Sequence, residues 1–338
     1  YLDPRRGELW GLPFLLLAEP RIWHLRLWDV VLDTLPYAVL GAFLFFQKRK
    51  SQKELVFCAC WALLFLNQGP IYAPLVLSAI LIAFALFPSE SLRLWAFIAL
   101  ALFASNYIGL SRLTWVFAPA LWAILLFIVD APAEKRKPGM QQLFFLLMGG
   151  AISPFLILLA FRGAHVLRNA LSADALQGVS LVQQIGSEFS EYFLGILQSA
   201  IRLATYQPLD WTRLWPNPSF PLGVVPALLI AVGPVSLLLL DRYRKGTWRL
   251  SWFQVAALLV IQGLFLAVGL SASVKVGGGL DLHNMDMFLI GMLLLAGVAW
   301  RNGVGDEIKA ISKQSTYFQA LVSLAVILPI LVPLAKAR

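Results

Sequence analysis

The sequence predicts an all-α, polytopic transmembrane bundle of about ten spans, with interfacial or extracytoplasmic helices in two long outer segments. Three observations predict it. Of the 338 residues, 59% are hydrophobic and only 13% are charged, where a soluble domain carries roughly 25% charged residues. The mean hydropathy of +0.77 does not fit a water-facing surface. Apolar runs approaching the roughly 20 residues needed to cross a bilayer recur along the whole chain.

The runs fall at 28–46, 55–67, 70–87, 94–110, 114–130, 141–161, 221–240, 251–272, 285–300 and 317–334. Together they read as one integral membrane domain over residues 1–338. The stretch from Leu55 to Phe87 is too long for one span, and Asn67-Gln68-Gly69-Pro70 interrupts it. Gly-Pro is a turn signal, so two short helices are expected there. Cys58 and Cys60 lie two apart inside one run; residues so spaced do not face each other on a helix, and both read as small buried hydrophobes.

Lys and Arg set the orientation. Lys48, Arg49, Lys50 and Lys53 follow the first run, Lys135, Arg136 and Lys137 follow the fifth, and Arg242, Arg244, Lys245 and Arg249 follow the seventh. Strict alternation of spans places all three clusters on one side, read as cytoplasmic, and that side takes nearly all of the net charge of +9. The charge is therefore a topology signal. No basic segment is interleaved with aromatics as a nucleic-acid stacking platform requires. Trp23, Trp28, Trp115, Trp211 and Trp215 fall at or beyond the outer boundary, and Trp95, Trp248, Trp252 and Trp300 near the inner one, as expected of interfacial Trp. The sequence thus reads as a multi-pass protein with its polar chemistry on the extracytoplasmic side.

Two outer segments are long, 1–27 and 162–220. In the second, Ile185, Phe189, Phe193, Ile196, Leu197 and Ala200 recur at helical spacing and predict an amphipathic helix in the interface. The chain opens on Tyr1 rather than Met and reads as lacking a true N-terminus.

The most distinctive polar stretch is the outer loop 271–286. It gathers Lys275, Asp281, His283, Asn284 and Asp286 around Gly277, Gly278 and Gly279. The glycines allow close backbone approach and offer N–H groups, and Lys275 supplies a point charge for a phosphate. The alternative is a turn with a capping acid. A second cluster runs from Asn106 and Tyr107 to Arg112 and Trp115; Arg112 either holds an anion bidentately or snorkels. A third contains His24, Arg26, Asp29 and Asp33. Asp29 and Asp33 share a helix face and suit acid–base work, with a local Arg26–Asp29 pair as the alternative. Asn67 and Tyr72 mark another outer turn facing the same cavity. No metal-binding spacing exists. No cofactor is called for, although a divalent cation held by residues brought together in three dimensions is compatible with the sequence.

These features resemble the bacterial GT-C superfamily of polytopic membrane glycosyltransferases, which use polyprenyl-phosphate sugars. The likeness rests on the many spans with few long outer loops, on Ser-x-Ser-x-Lys-x-Gly-Gly-Gly-x-Asp-x-His-Asn at 271–284, and on Asn67-Gln68-Gly69-Pro70 before an apolar span. The resemblance implies a bacterial inner-membrane enzyme whose extracytoplasmic cavity brings a lipid-linked sugar donor to an acceptor. Lys275, Gly277, Gly278, Gly279 and Arg112 would hold the donor phosphate. Asp281, His283, Asn284, Asn67, Tyr72 and Tyr107 would line the cavity. It also implies a catalytic acid in the first outer loop, where Asp3 is the nearest candidate and Asp29 the next; otherwise the acid lies upstream of Tyr1 or the chain has lost activity. The expected partners are the lipid-linked donor, membrane lipids and possible partner subunits, with no nucleic acid. The competing readings are a noncatalytic subunit of a membrane complex and a lipid or solute transporter or flippase.

Overall fold

The computed structural model describes residues 4–46, 52–69, 71–109, 115–130, 144–146, 148, 209–218, 221–275 and 282–336. Asp3, Arg112, Gly277, Gly278, Gly279 and Asp281, the amphipathic segment around 185–203 and nearly all of the predicted run at 141–161 lie outside them. The described chain is helical, with no β-strand among the described residues. Its helices are α1 (Pro4–Leu16), α2 (Ile22–Phe45), α3 (Gln52–Leu66), α4 (Ala73–Phe84), α5 (Glu90–Gly109), α6 (Ala118–Val129), α7 (Val224–Arg244), α8 (Trp252–Lys275), α9 (Asp286–Ala299), α10 (Gly305–Lys309) and α11 (Thr316–Lys336). Every predicted run except 141–161 coincides with one of them. Among the described residues, four stretches are long and apolar enough to cross a membrane: Ile22–Phe45, Val224–Arg244, Trp252–Lys275 and Asp286–Lys309. The chain is a helical membrane protein.

The bundle is organised around α9, which packs against α2, α3, α4, α6, α7 and α8. All of α9 except Ala296 is buried, and a helix apolar on every face belongs in such a centre. Small residues set the closest approaches. A Cβ on Gly297 would stand 2.8 Å from Leu44 Cβ of α2, and one on Gly41 would stand 2.4 Å from Ala62 Cβ of α3. Hydrocarbon surrounds both states of a membrane helix, so close packing of this kind, more than hydrophobicity, drives helix association.

The remaining neighbours follow chain order: α2 with α3 and α4, α4 with α5, and α5 with α6. At its end the chain returns, and α11 packs on α7 and α3. Trp61 Nε1 donates to Ala325 O at 2.8 Å across α3 and α11, and Trp122 Nε1 to Met287 O at 3.3 Å across α6 and α9. Ser251 and Gln254 open α8 with a reciprocal capping box, and Gln254 Nε2 also donates to Ile128 O at 2.8 Å.

The bundle has two contrasting ends. At one, Arg242 is 1% exposed and is held by Asp241 and Glu307, with its guanidinium carbon 3.9 Å above the Phe318 ring. Thr247 Oγ1 donates to Glu307 at 2.7 Å, and Lys309 reaches Glu54 at 3.4 Å. This basic end clasps α7, α10, α11 and α3. The π-helical turn Trp300–Val304, with Gly303 at φ 108°, redirects the chain from α9 into it.

The other end is aromatic. Tyr37 Oη donates to Ile71 O, so Tyr37 lies level with the turn between α3 and α4. From Tyr37, α2 continues back to Ile22, roughly 20 Å by the helical rise. It therefore projects past that turn and begins six residues before the predicted run, because α1 supports it. Trp28 Nε1 donates to Leu9 O at 2.7 Å and Trp10 Nε1 to Asp29 Oδ1 at 2.6 Å.

Candidate functional site

The aromatic end brings together two turns that are far apart in sequence. The first follows α3. Asn67 Nδ2 donates to Leu63 O at 3.0 Å and Gln68 Nε2 to Phe65 O at 3.1 Å, so both amides close the end of their own helix. Tyr72 then caps α4 with extended backbone. The second turn precedes α9: Met285 N donates to Leu282 O at 3.1 Å, and Asp286 Oδ1 accepts from Met287 N at 2.9 Å. Asp286 is 1% exposed and sits where the α9 dipole favours a carboxylate. The turns touch at Gly69, where a Cβ would meet Leu289 Cδ1 at 3.0 Å and Leu282 O at 3.3 Å.

The Tyr72 ring joins them. It stands 5.4 Å from the Trp115 ring and 5.8 Å, edge-on, from the His283 ring. Trp115 is 2% exposed, and its ring forms the inner wall of the cluster. Tyr72 and His283 are half-buried. Asn284 is buried, with Nδ2 3.5 Å from Ser273 Oγ of α8. Tyr107 is half-buried on the last turns of α5.

The end of the long segment before α7, residues 209–215, docks on the last turn of α8. Asp210 N donates to Val274 O at 3.1 Å and Arg213 Nη1 to Ser273 O at 3.4 Å. Arg213 also pairs with Asp210 at 3.1 Å. Asp210 caps the short 3-10 turn Trp211–Leu214 by accepting from Thr212 N and from Thr212 Oγ1, the latter at 2.5 Å. The Thr212 hydrogen bonds, with the Arg213 charge beside them, hold the exposed Asp210 carboxyl below its ordinary 3.8. Gly223, at φ 74°, lets α7 begin directly against the Trp215 backbone, which a Cβ there would meet at 2.3 Å. Arg213 and Lys275 therefore share the C-terminal turn of α8, where cations also complement the helix dipole.

Of the residues singled out in the sequence, Asn67, Tyr72, His283, Asn284 and Lys275 gather at this end. Asp29 stands apart: it is exposed on the projecting part of α2, about 12 Å above Tyr37 by the helical rise, and takes its hydrogen bond from Trp10 rather than from Arg26. Sequence reasoning passed over Arg213 and Ser273 as site residues. Ser273 lies within the Ser-x-Ser-x-Lys stretch, but nothing local pairs it with Arg213, because only the fold carries the 209–215 turn onto α8. Asp286 was legible as the acid opening an apolar helix, though not as a buried one. No group of three or more His, Cys, Asp or Glu side chains able to hold a metal occurs among the described residues.

Comparison of the chain with protein-family models, with curated proteins and with solved structures gives no match.

Proposed function

We propose that the chain is a bacterial inner-membrane protein with its basic end in the cytoplasm, and that its aromatic end, on the extracytoplasmic side, takes the phosphate of a polyprenyl-phosphate sugar and passes the sugar to an acceptor, as in a GT-C-type glycosyltransferase. The observation that carries this reading is the convergence of Lys275 and Arg213 on one helix turn, reached through Arg213 Nη1 on Ser273 O, beside the half-buried rings of Tyr72 and His283. Two cations at one place suit a phosphate more than a neutral solute. Half-buried rings offer a sugar an apolar face.

In the transfer, the acceptor oxygen forms a bond to the anomeric carbon as the bond from that carbon to the phosphate oxygen breaks. The electron pair leaves with the polyprenyl phosphate, whose charge Lys275 and Arg213 stabilise. The acceptor proton passes to a carboxylate. Asp3 and Asp29 are the candidates for that base; of the two, Asp29 is placed in the α1–α2 hairpin, and it already accepts a hydrogen bond from Trp10.

The test is binding and turnover of radiolabelled polyprenyl-phosphate sugars by the purified protein, comparing wild type with Lys275→Ala and Arg213→Ala. Loss of donor binding by tenfold or more in each variant, on the order of 1.5–3 kcal/mol for a charge-assisted contact, supports the reading. Binding unchanged in both variants removes the phosphate site from this turn. A wild-type protein that binds no donor abandons the transferase reading and leaves a noncatalytic subunit or a transporter.

A further inference from the structure

A groove of about 470 Å³ opens sideways between α7, α8 and α9. Its walls are apolar, with Leu239, Leu258, Leu266, Phe288 and Leu295 among them. Four side chains with polar atoms interrupt the lining, Ser236, Tyr243, Trp248 and Gln262, and two of the four are buried. Trp248 is 3% exposed and Gln262 is 5% exposed, and neither the Trp248 indole N–H nor the Gln262 amide has a hydrogen-bond partner among the described residues. The Gln262 amide lies over Gly291 of α9, where an added Cβ would stand 2.3 Å from Nε2, so it forms the floor of the groove. Trp248 lies at the opposite, basic end.

The turn after α7 builds that end. Gly246 takes φ 74°, and Thr247 N and Trp248 N both donate to Arg242 O, at 3.1 and 3.2 Å. The turn folds the indole into the groove lining and leaves Arg244, Lys245 and Arg249 exposed next to the lining residues Tyr243, Trp248 and Leu250. Asp241 is the carboxylate nearest them, and it is engaged by Arg242 and by Lys245, the latter at 3.3 Å. Glu307 is taken up by Arg242 and Thr247. Arg244 and Arg249 have no carboxylate partner among the described residues, and Arg249 Nε donates only to Gly246 O at 3.2 Å.

The charge beside the groove selects the occupant. From Val255 to Leu266 the groove follows α8 for roughly 16 Å by the helical rise, about half of the roughly 30 Å hydrocarbon core and so the depth of one leaflet's acyl chains. The cations on the α7–α8 turn call for an anionic headgroup. We propose that the groove seats one acyl chain of an anionic phospholipid whose phosphate rests on Arg244 and Arg249. Basic pockets between membrane helices on the side with excess Lys and Arg are suited to such headgroups. The site is separate from the aromatic end and does not depend on a transferase activity.

Native mass spectrometry of the full chain in mild detergent, after exchange with phosphatidylglycerol or with phosphatidylcholine, tests it. One phosphatidylglycerol retained per protein, under conditions that strip phosphatidylcholine, is expected. Gly263→Leu should reduce retention about tenfold; a Cβ at Gly263 meets nothing within 4 Å, so the side chain fills the groove without disturbing the fold. Arg244→Gln and Arg249→Gln should each lower it about fivefold, the equivalent of roughly one surface cation on an anionic lipid. Thermal unfolding in phosphatidylcholine confirms that each variant is folded. Equal retention of the two lipids, or retention unchanged in folded Gly263→Leu, overturns the proposal. So does a Gly263→Leu variant that changes the oligomeric mass and leaves lipid retention intact, since the face then binds protein.

Discussion

α8 and α9 follow each other in the chain and are both apolar, yet they occupy opposite situations. The most apolar stretch of α8 is 22% buried, whereas the stretch that α9 opens is 72% buried. Hydrophobicity does not separate the two helices, although in water burial would follow transfer free energy. In a bilayer the lipid is as apolar as leucine, so burial follows fit. α9 offers Gly291 and Gly297 to Gln262 and Leu44, whereas Gly263 of α8 faces open space. The same residue type therefore has different meanings on neighbouring helices.

Substitution at these glycines is the most direct way to break the contrast. Gly297→Leu must push α9 away from Leu44 and should cost about 3 kcal/mol or more as overpacking. The same change at Gly263 should stay within about 0.5 kcal/mol. Thermal unfolding of the two variants in one detergent settles it, and equal losses would mean that α8 is covered where the structure leaves it open. Next in size is the clasp below α9. Arg242→Gln leaves Asp241 and Glu307 without their buried cation; both reach water, so the cost should fall to about 2–3 kcal/mol, below that of a wholly buried pair. Chemical denaturation reads this loss, and pairing it with Glu307→Gln gives a coupling energy that a merely additive contact would lack.

Tyr37→Phe, at the turn that covers the top of α9, removes one buried hydrogen bond to Ile71 O and should cost about 1 kcal/mol. The smallest effect belongs to the turn docked on α8. Asp210 is more acidic folded than unfolded, so its contribution is fully present above its ordinary 3.8 and fades as pH falls from there through the lower folded value. Hydrogen exchange at the Asp210 amide should therefore quicken only in that acidic window, and Asp210→Asn should abolish the change. Loss of protection that begins near neutrality would assign the docking to another group.

Much of this was legible in advance. The predicted runs coincide with helices because continuous apolar sequence in a bilayer must satisfy its own backbone hydrogen bonds, and the helix does so locally. The break at Asn67-Gln68-Gly69 was visible for the same reason: Asn67 and Gln68 bond back to the carbonyls of α3. That Trp115 is buried within the bundle was not legible, because an exposed Trp and a buried one look alike in sequence. Arg213 escaped notice as a site residue because its partner is the carbonyl of Ser273, sixty positions away, and a backbone acceptor leaves no mark in the sequence.

The sequence by itself determined the class of the molecule and the places where its helices lie, since these depend on local composition and on a backbone that must bond to itself in lipid. The tertiary structure alone decided which helix is central, which polar residues share an end and where a groove is left open. Those outcomes rest on shape complementarity between segments that are distant in the chain and nearly indistinguishable in hydrophobicity.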